Sequence, residues 1–466
     1  MGLVHSIMAG FSGGDGQREL TKEEIIRIRA THLSSANEMF FKEDPLMIMR
    51  GEGAFLYDEK DNGYLDCINN VCHVGHSNPH VVAAISQQAA QLNTNNRYLH
   101  PNLARLLRRL VPTFAPSDLT RVTLVNSGSE ANDLALRMAR AHTGNEDIIT
   151  LNHAYHGHVS STIDVSPYKS KGLGVNSPVV YEAPCPDIYR GKYTDQTHPG
   201  LSPEALGELY AQEVGEIIAT LAEQGRRPAA FIAESLQSCG GQIIPPPGYL
   251  RRVYQLVHAA GGITVADEVQ VGFGRVGTHW WAYQTQGADV KPDIVTMGKP
   301  MGNGHPVAAV ICTEAVDKSF ARSGVAYFNT YGGNPVSCAA ALAVLDEIQT
   351  HNLKEHCVKI GHLLISKLED LKNRHRLIGD VRVLGMFAGI ELVTDREQRT
   401  PATAEAKLLL QKMLKERVLL SADGPDRNVI KFKPPIVFSE ENVEELVTKL
   451  DRVLAQLEGD QNNDRE

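Results

Sequence analysis

The chain has 466 residues, with 46 Lys and Arg against 55 Asp and Glu, for a formal net charge of −9. At 42% hydrophobic and 22% charged it has a globular composition, long enough for two domains around a large core, and it lacks the basic excess expected of a nucleic-acid binder. No apolar run reaches the ~18 residues that cross a bilayer, and the seven cysteines (67, 72, 185, 239, 312, 338, 357) form neither a disulfide framework nor a C-x-x-C pattern, which suggests a reducing compartment.

Residues 1–20 read as a flexible tail. Gly2 and Ser6 match the short myristoylation pattern, and few basic residues precede Arg18, so a mitochondrial presequence is only weakly legible. TKEEIIRIRATHL, from Thr21, carries acids in its first turn and predicts a helix. GAFLYDEKDNGYLDCINN follows as a hairpin-like section, with Asp61-Asn62-Gly63 as its turn. From about 81 to 350, short β-rich runs alternate with helical stretches. The runs are VTLVN (122–126), DIITL (147–151), AAFIAES (229–235), GITVADE (262–268), DIVTM (293–297) and VAAVIC (307–312). This alternation predicts an α/β domain around a largely parallel sheet. After Pro335, VSCAAALAVLDEIQT predicts a long helix with Cys338, Leu342, Leu345 and Ile348 on one side. Residues 351–458 predict a smaller α+β unit ending in an amphipathic helix, and 459–466 a second flexible tail.

Four places carry candidate chemistry. NSGSEANDLALRMARAHTG (126–144) follows a strand run, with Ser127 or Ser129 able to cap the helix. Such a helix start is an anion site suited to phosphate, although an ordinary capped helix has the same pattern. Asp267 ends the run GITVADE, where ligands of parallel sheets bind, and its carboxylate could pair with a protonated ring nitrogen or cap the next segment. Just beyond it, Gly272, Gly274 and Gly277 match G-x-G-x-x-G. No helical stripe follows them, so a dinucleotide site is a poor reading. Lys299 lies in a loop with Gly298, Gly302 and Gly304 between two apolar runs, where partial desolvation favours a nucleophilic amine. His153, His156 and His158 invite a metal reading, but no cysteine or carboxylate is spaced to complete a zinc site. The alternative is Tyr155 lying over a flat ring with His156 nearby. Each signal is modest alone, and their order along the chain strengthens the set.

That set resembles the class III pyridoxal-phosphate-dependent aminotransferases from about residue 40 to 455, through NSGSEAN, HAYHGH, DEVQVGFGRVG, TMGKPMGNGHP and NTYGGNPVSCAA. The resemblance implies fold type I: a large, mostly parallel α/β domain (81–335), with a small α+β domain built from the 21–80 segment and residues 336–458. It also implies pyridoxal 5'-phosphate as cofactor and a homodimer with shared active sites. By the same resemblance Lys299 carries the cofactor as a Schiff base and Asp267 pairs with its ring nitrogen. Val269 packs on the ring, Gln270 bonds the phenolic oxygen, and Gly128 and Ser129 form the phosphate loop. Tyr155 stacks, Glu234 lies beneath, and Thr330 reaches the phosphate from the neighbouring subunit.

Within the family, YLDCINNVCHVGHSNP, LNTNNRYLH, YRGKY, IAESLQSCGGQIIPP and VLLSADGPDRNVIKFKPP are most similar to phospho-lyases acting on phosphoethanolamine and 5-phosphohydroxylysine, with the wording leaning to the former. Many relatives place an arginine shortly before the C-terminal Pro-Pro, where it can clamp a carboxylate. Here Lys431 stands at that position, as a point charge rather than a planar fork, or simply as a partly exposed strand lysine. The activity implied is a carbon–oxygen lyase acting on a small phosphorylated amine, with Arg97 and then Lys431 as candidate cations for the leaving phosphate. Arg97 also reads as a surface or interface ion-pair residue. A transaminase is the rival within the family. A nicotinamide oxidoreductase and a noncatalytic binding protein are rivals of other classes. The resemblance suggests a mitochondrial location, with the cytoplasm as alternative.

Overall fold

The structure, a computed structural model, describes residues 19–463. The flexible-tail readings for 1–18 and 464–466, the Gly2/Ser6 pattern and any presequence fall outside those residues. The described chain up to Arg50, with Tyr57–Asn62, forms one compact unit; Gly51–Leu56 and everything from Gly63 onward form the other. In the first unit, α1 (Lys22–His32) starts at a capping box: Thr21 Oγ1 accepts from Glu24 N, and the Glu24 carboxylate accepts from Thr21 N. The expected turn is present. Asp61 is left-handed (φ 61°), and the Asp58 carboxylate accepts from the N–H groups of Lys60 and Asn62.

The second unit is organised by a seven-stranded sheet of β1 (Leu119–Val125), β2 (Asp147–Leu151), β3 (Val180–Ala183), β4 (Pro228–Glu234), β5 (Ile263–Asp267), β6 (Ile294–Met297) and β7 (Ala308–Thr313), in the order β1-β7-β6-β5-β4-β2-β3. Every predicted apolar run became one of its strands. The edge strand β3, in the short mixed run VVYEA, has no such apolar signature. Strand β7 is antiparallel to both neighbours and the other pairs are parallel. Strands β2, β4, β5 and β6 are buried at every residue, as expected of parallel strands covered on both faces. Residues in register include Glu234 with Asp267 and Asp267 with Thr296. The carboxyl ends of β4, β5 and β6 therefore open side by side, and β1 runs in the same sense.

Two helices frame this end of the sheet. The first, α2 (Gly128–Thr143), leaves β1 through the Ser127 cap, whose Oγ accepts from Glu130 N at 3.2 Å. The other, α3 (Pro335–Thr350), starts at Asn334 and buries Cys338, Leu345 and Ile348, with Leu342 half-buried against the core. The C-terminal part carries a second, antiparallel sheet: β8 (Ile378–Leu384), β9 (Phe387–Asp395), β10 (Ser421–Asp423) and β11 (Val429–Phe432), ordered β8-β9-β11-β10. Residues Gly63–Asp66 pair in parallel with Val418–Leu419, tying an early segment to a late one. The last helix, α4 (Glu440–Asn463), runs past residue 458, so 459–463 are helical rather than tail. Nothing in EGDQNN forbids this: Gly459 costs only about 1 kcal/mol in a helix, and no proline intervenes.

Candidate functional site

The carboxyl ends of the strands enclose a cavity of about 290 Å³, near the lower end of the range for small-molecule sites. Gly128, Ser129, Tyr155, Glu234, Asp267, Val269, Gln270 and Lys299 all line it. Arg97, Thr330 and Lys431 do not.

At one end lies the start of α2. The N–H groups of Gly128 and Ser129 sit in its first turn, where no carbonyl inside the helix can satisfy them. Together with the helix dipole they make an anion-binding corner. Close packing fixes this corner. A Cβ at Gly128 would lie 2.6 Å from Val269 Cγ1, and one at Gly157 (φ 136°) 2.6 Å from Ser129 Oγ. Ser129 Oγ in turn accepts from His158 N at 3.2 Å.

Opposite stands Asp267, at the end of β5 and almost completely buried. Val269 N donates to its Oδ1 at 3.0 Å, while Asn132 Nδ2 at 2.8 Å and His156 Nδ1 at 2.7 Å converge on Oδ2. A carboxylate offers about four lone-pair sites. Three are used, so one remains for a further donor. Asn132 is itself held by Thr296 Oγ1 from β6, at 2.7 Å. Its role was missed in the sequence, where it reads as an ordinary residue of a capped helix; its place one turn past the Ser127 cap of α2 was the only clue.

Glu234 ends β4 beside Asp267. Its oxygens accept from Tyr155 N at 3.0 Å and Ser238 N at 3.1 Å. Burial raises its carboxyl to about 6. The Tyr155 ring, half-buried, stands edge-on to Tyr168 with centroids 6.3 Å apart. Lys299 opens a 3-10 turn (Lys299–Gly302) directly after β6 and Gly298, and its side chain is half-buried. A Cβ at Gly298 would come within 3.2 Å of Val269 Cγ1 and 3.5 Å of Gly128 N, so this loop presses against the α2 corner.

Gln270 is held from behind. Its Oε1 accepts from Lys433 Nζ at 2.6 Å and from Asn70 Nδ2 at 3.2 Å. Lys433 was also missed, although two lysines flanking Phe432 just before Pro-Pro are unusual in an apolar run. Lys431 Nζ forms an ion pair with Asp423 Oδ2, and Tyr168 OH donates to the other Asp423 oxygen at 2.7 Å.

Arg97 is exposed, with its guanidinium 4.0 Å from the centre of the Phe328 ring; Thr330 is exposed on the same stretch as Phe328. The Gly272–Gly277 run forms turns, with left-handed Phe273, Gly274 and Gly277, and leads only to a short 3-10 turn at Ala282–Gln286. No helix N-terminus follows it for a dinucleotide phosphate. Among the described residues no group of His, Cys, Asp or Glu is placed to hold a metal, and no helix is long and apolar enough to cross a membrane. His156 is committed to Asp267.

Comparison with known proteins agrees with this geometry. Residues 39–454 match the family Aminotransferase class-III. The chain is 51% identical over 432 residues, covering 92% of it and 86% of the relative, to a Drosophila melanogaster protein named alanine–glyoxylate aminotransferase 2-like. It is 45% identical to the Caenorhabditis elegans ethanolamine-phosphate phospho-lyase homolog 1, over 93% of this chain and 94% of that one. Among solved structures, a phospholyase from Arthrobacter in complex with phosphoethanolamine superposes with a TM-score of 0.86 at 37% identity, over 92% of this chain and 99% of the other. The chain belongs to the class III aminotransferase family, has its fold type I architecture, and uses pyridoxal 5'-phosphate. The cavity fits that cofactor. It offers an anion corner, an open carboxylate lone pair and a half-buried amine, and Gly128 packs so closely on Val269 that no side chain fits between them.

Proposed function

We propose that this enzyme is a phospho-lyase, eliminating phosphate from a small phosphorylated amine: phosphoethanolamine first, 5-phosphohydroxylysine second. The observation that carries the reading is Lys431. At the position where, by the family resemblance, many relatives carry an arginine able to clamp a substrate carboxylate, this chain has a point charge already paired with Asp423. An α-carboxylate finds no free bidentate partner there. Similarity to the Arthrobacter phospholyase and the nematode homolog supports the same reading.

The residues divide the work as follows. The Gly128 and Ser129 N–H groups would hold the cofactor's phosphate, Tyr155 and Val269 its ring, and Gln270 would donate to its phenolic oxygen. Asp267 would keep the ring nitrogen protonated, and Glu234 fixes the Tyr155 backbone from beneath. Bound through Lys299, pyridoxal phosphate supplies an electron sink for the carbon bearing the substrate amine. The Lys299 amine, half-buried on the cavity wall, would be the base for the proton on that carbon. The neighbouring C–O bond then breaks, and its electron pair leaves with phosphate. Water completes the reaction: phosphoethanolamine plus water gives acetaldehyde, ammonia and inorganic phosphate. Arg97 and Thr330 do not line the cavity of their own chain. In a homodimer they serve the neighbouring cavity, Thr330 toward the cofactor phosphate and Arg97 toward the leaving one. A mitochondrial location accompanies this reading and is checked by fractionation of cells expressing the tagged full chain.

Incubating the enzyme with phosphoethanolamine and no oxo acid tests the proposal: equal amounts of phosphate and ammonia are expected. Product formation that depends strictly on an oxo-acid acceptor would instead establish amino transfer, a reading favoured by the name of the 51% identical Drosophila relative. Borohydride reduction followed by peptide mapping places the cofactor; label on any lysine other than Lys299 overturns the assignment.

A further inference from the structure

Lys433 is a buried lysine, 5% exposed, that forms no ion pair among the described residues. The carboxylate whose charge reaches it, Asp423, is bound to Lys431 instead. Such a group is costly to keep in a protein interior, and its contact explains its presence: Nζ lies 2.6 Å from Gln270 Oε1. Burial, and after it the charge of nearby Lys431, pushes the amine well below the usual lysine range. In either protonation state it remains a hydrogen-bond donor.

Asn70 Nδ2 donates to the same oxygen at 3.2 Å. Two donors on Oε1 favour one orientation of the Gln270 amide: a flip would set its NH2 against the Asn70 Nδ2–H group and would break the N–H···O bond from Lys433. Gln270 lines the cavity, and its Nε2–H group has no acceptor among the described residues. We propose that Lys433 is a positioning residue: it locks the Gln270 amide so that its N–H donor faces the cavity, toward the phenolic oxygen of bound pyridoxal phosphate. This rests on the assignment of Gln270 to that oxygen made above, and is independent of the choice between elimination and amino transfer. A donor on the phenolic oxygen favours its ionised form and loosens its hold on the proton of the adjacent nitrogen. Loss of the donor therefore raises the pH at which the bound cofactor changes colour.

The test uses the full-length holoenzyme without substrate and reads the midpoint of the pH-dependent visible absorbance. Lys433→Met and Gln270→Ala are each expected to raise that midpoint by about half a unit or more. The double variant is expected to match Gln270→Ala alone, because Lys433 acts through Gln270. A cofactor-loaded Lys433→Met protein with an unchanged midpoint, or shifts that add in full, overturns the proposal. Should Lys433→Met not fold, Lys433→Gln, which keeps a donor, is expected to retain the parental midpoint; a shift as large as that of Gln270→Ala overturns the proposal. The two claims separate cleanly. An unchanged midpoint in Gln270→Ala removes the Gln270 assignment itself, whereas a shift in Gln270→Ala without one in Lys433→Met removes only the role of Lys433.

Discussion

Replacing Asp267 by Asn is the sharpest test of the site's electrostatics. The carboxylate receives three hydrogen bonds, from Val269 N, Asn132 Nδ2 and His156 Nδ1, and keeps one lone pair, which the proposed function gives to the ring nitrogen. Asn has the same shape but one acceptor oxygen. Whichever way its amide turns, an N–H group faces a donor. The larger effect is lost charge. A carboxylate and a protonated ring nitrogen at ~3 Å attract by about 5 kcal/mol at an effective dielectric of ~20. Without that attraction the ring nitrogen loses its proton and the electron sink weakens. If the full amount appears in the barrier, the rate falls roughly 10⁴-fold; partial compensation by water leaves about 10². Phosphate release under saturating phosphoethanolamine measures this, with visible absorbance confirming that the cofactor is bound. A cofactor-loaded Asp267→Asn enzyme within about tenfold of the parent would refute the reasoning.

Gly128→Ala places a methyl 2.6 Å from Val269 Cγ1. It should cost about 1–3 kcal/mol of stability by overpacking and weaken cofactor binding in an absorbance titration; unchanged affinity would mean that Val269 gives way without disturbing the corner. Glu268 accepts from the N–H groups of Ala282 and Tyr283, and burial raises its carboxyl from 4.5 to about 7. Because the folded-state value is the higher one, the stability it contributes is complete below pH 4.5 and is lost as pH rises through 7, on the order of 3 kcal/mol in all. Glu268→Gln should therefore shrink the drop in melting temperature between about pH 5 and pH 8, and an equal drop in both proteins would count against a buried, protonated Glu268. Arg97→Ala should lower turnover about tenfold or more while leaving the absorbance of the bound cofactor unchanged; parental turnover would remove Arg97 from the reaction.

Four of the strands were legible because a parallel strand buried on both faces must be a continuous apolar run, whereas β1 and the antiparallel β7 were legible from their own apolar stretches. Strand β3 pairs along one edge only and mixes Tyr and Glu into its four residues, so periodicity gives no warning of it. The same contrast holds in the cavity. Asp267 and Lys299 announce themselves by position, at a strand end and among glycines. Their environment does not, because it is assembled from distant segments. Asn132 lies 135 residues from Asp267 and His156 lies 111. Lys433 reaches Gln270 across 163 residues. Local pattern marks where a reacting group is presented. What sets its charge and aim is tertiary, and had to be read from the folded chain.

Lys431 shows how the two kinds of information combine. From sequence it is a lysine where the family resemblance leads one to expect an arginine fork in many relatives, open to two opposite readings: a cation awaiting the leaving phosphate, or a partly exposed strand residue with no role. In the fold it belongs to neither simply. Asp423 neutralises it, and Tyr168, which stands edge-on to Tyr155, secures Asp423 from the other side. Neutralisation removes the reason for an α-carboxylate to bind there, without supplying a free cation for phosphate. The cation for the leaving group must then come from elsewhere. Lys433 is occupied with Gln270, and the exposed Arg97 lies off its own cavity. Elimination therefore adds a second demand on assembly, Arg97 at the leaving phosphate beside Thr330 at the cofactor's: under this reading, a monomeric form would keep Lys299 and Asp267 and still release phosphate slowly.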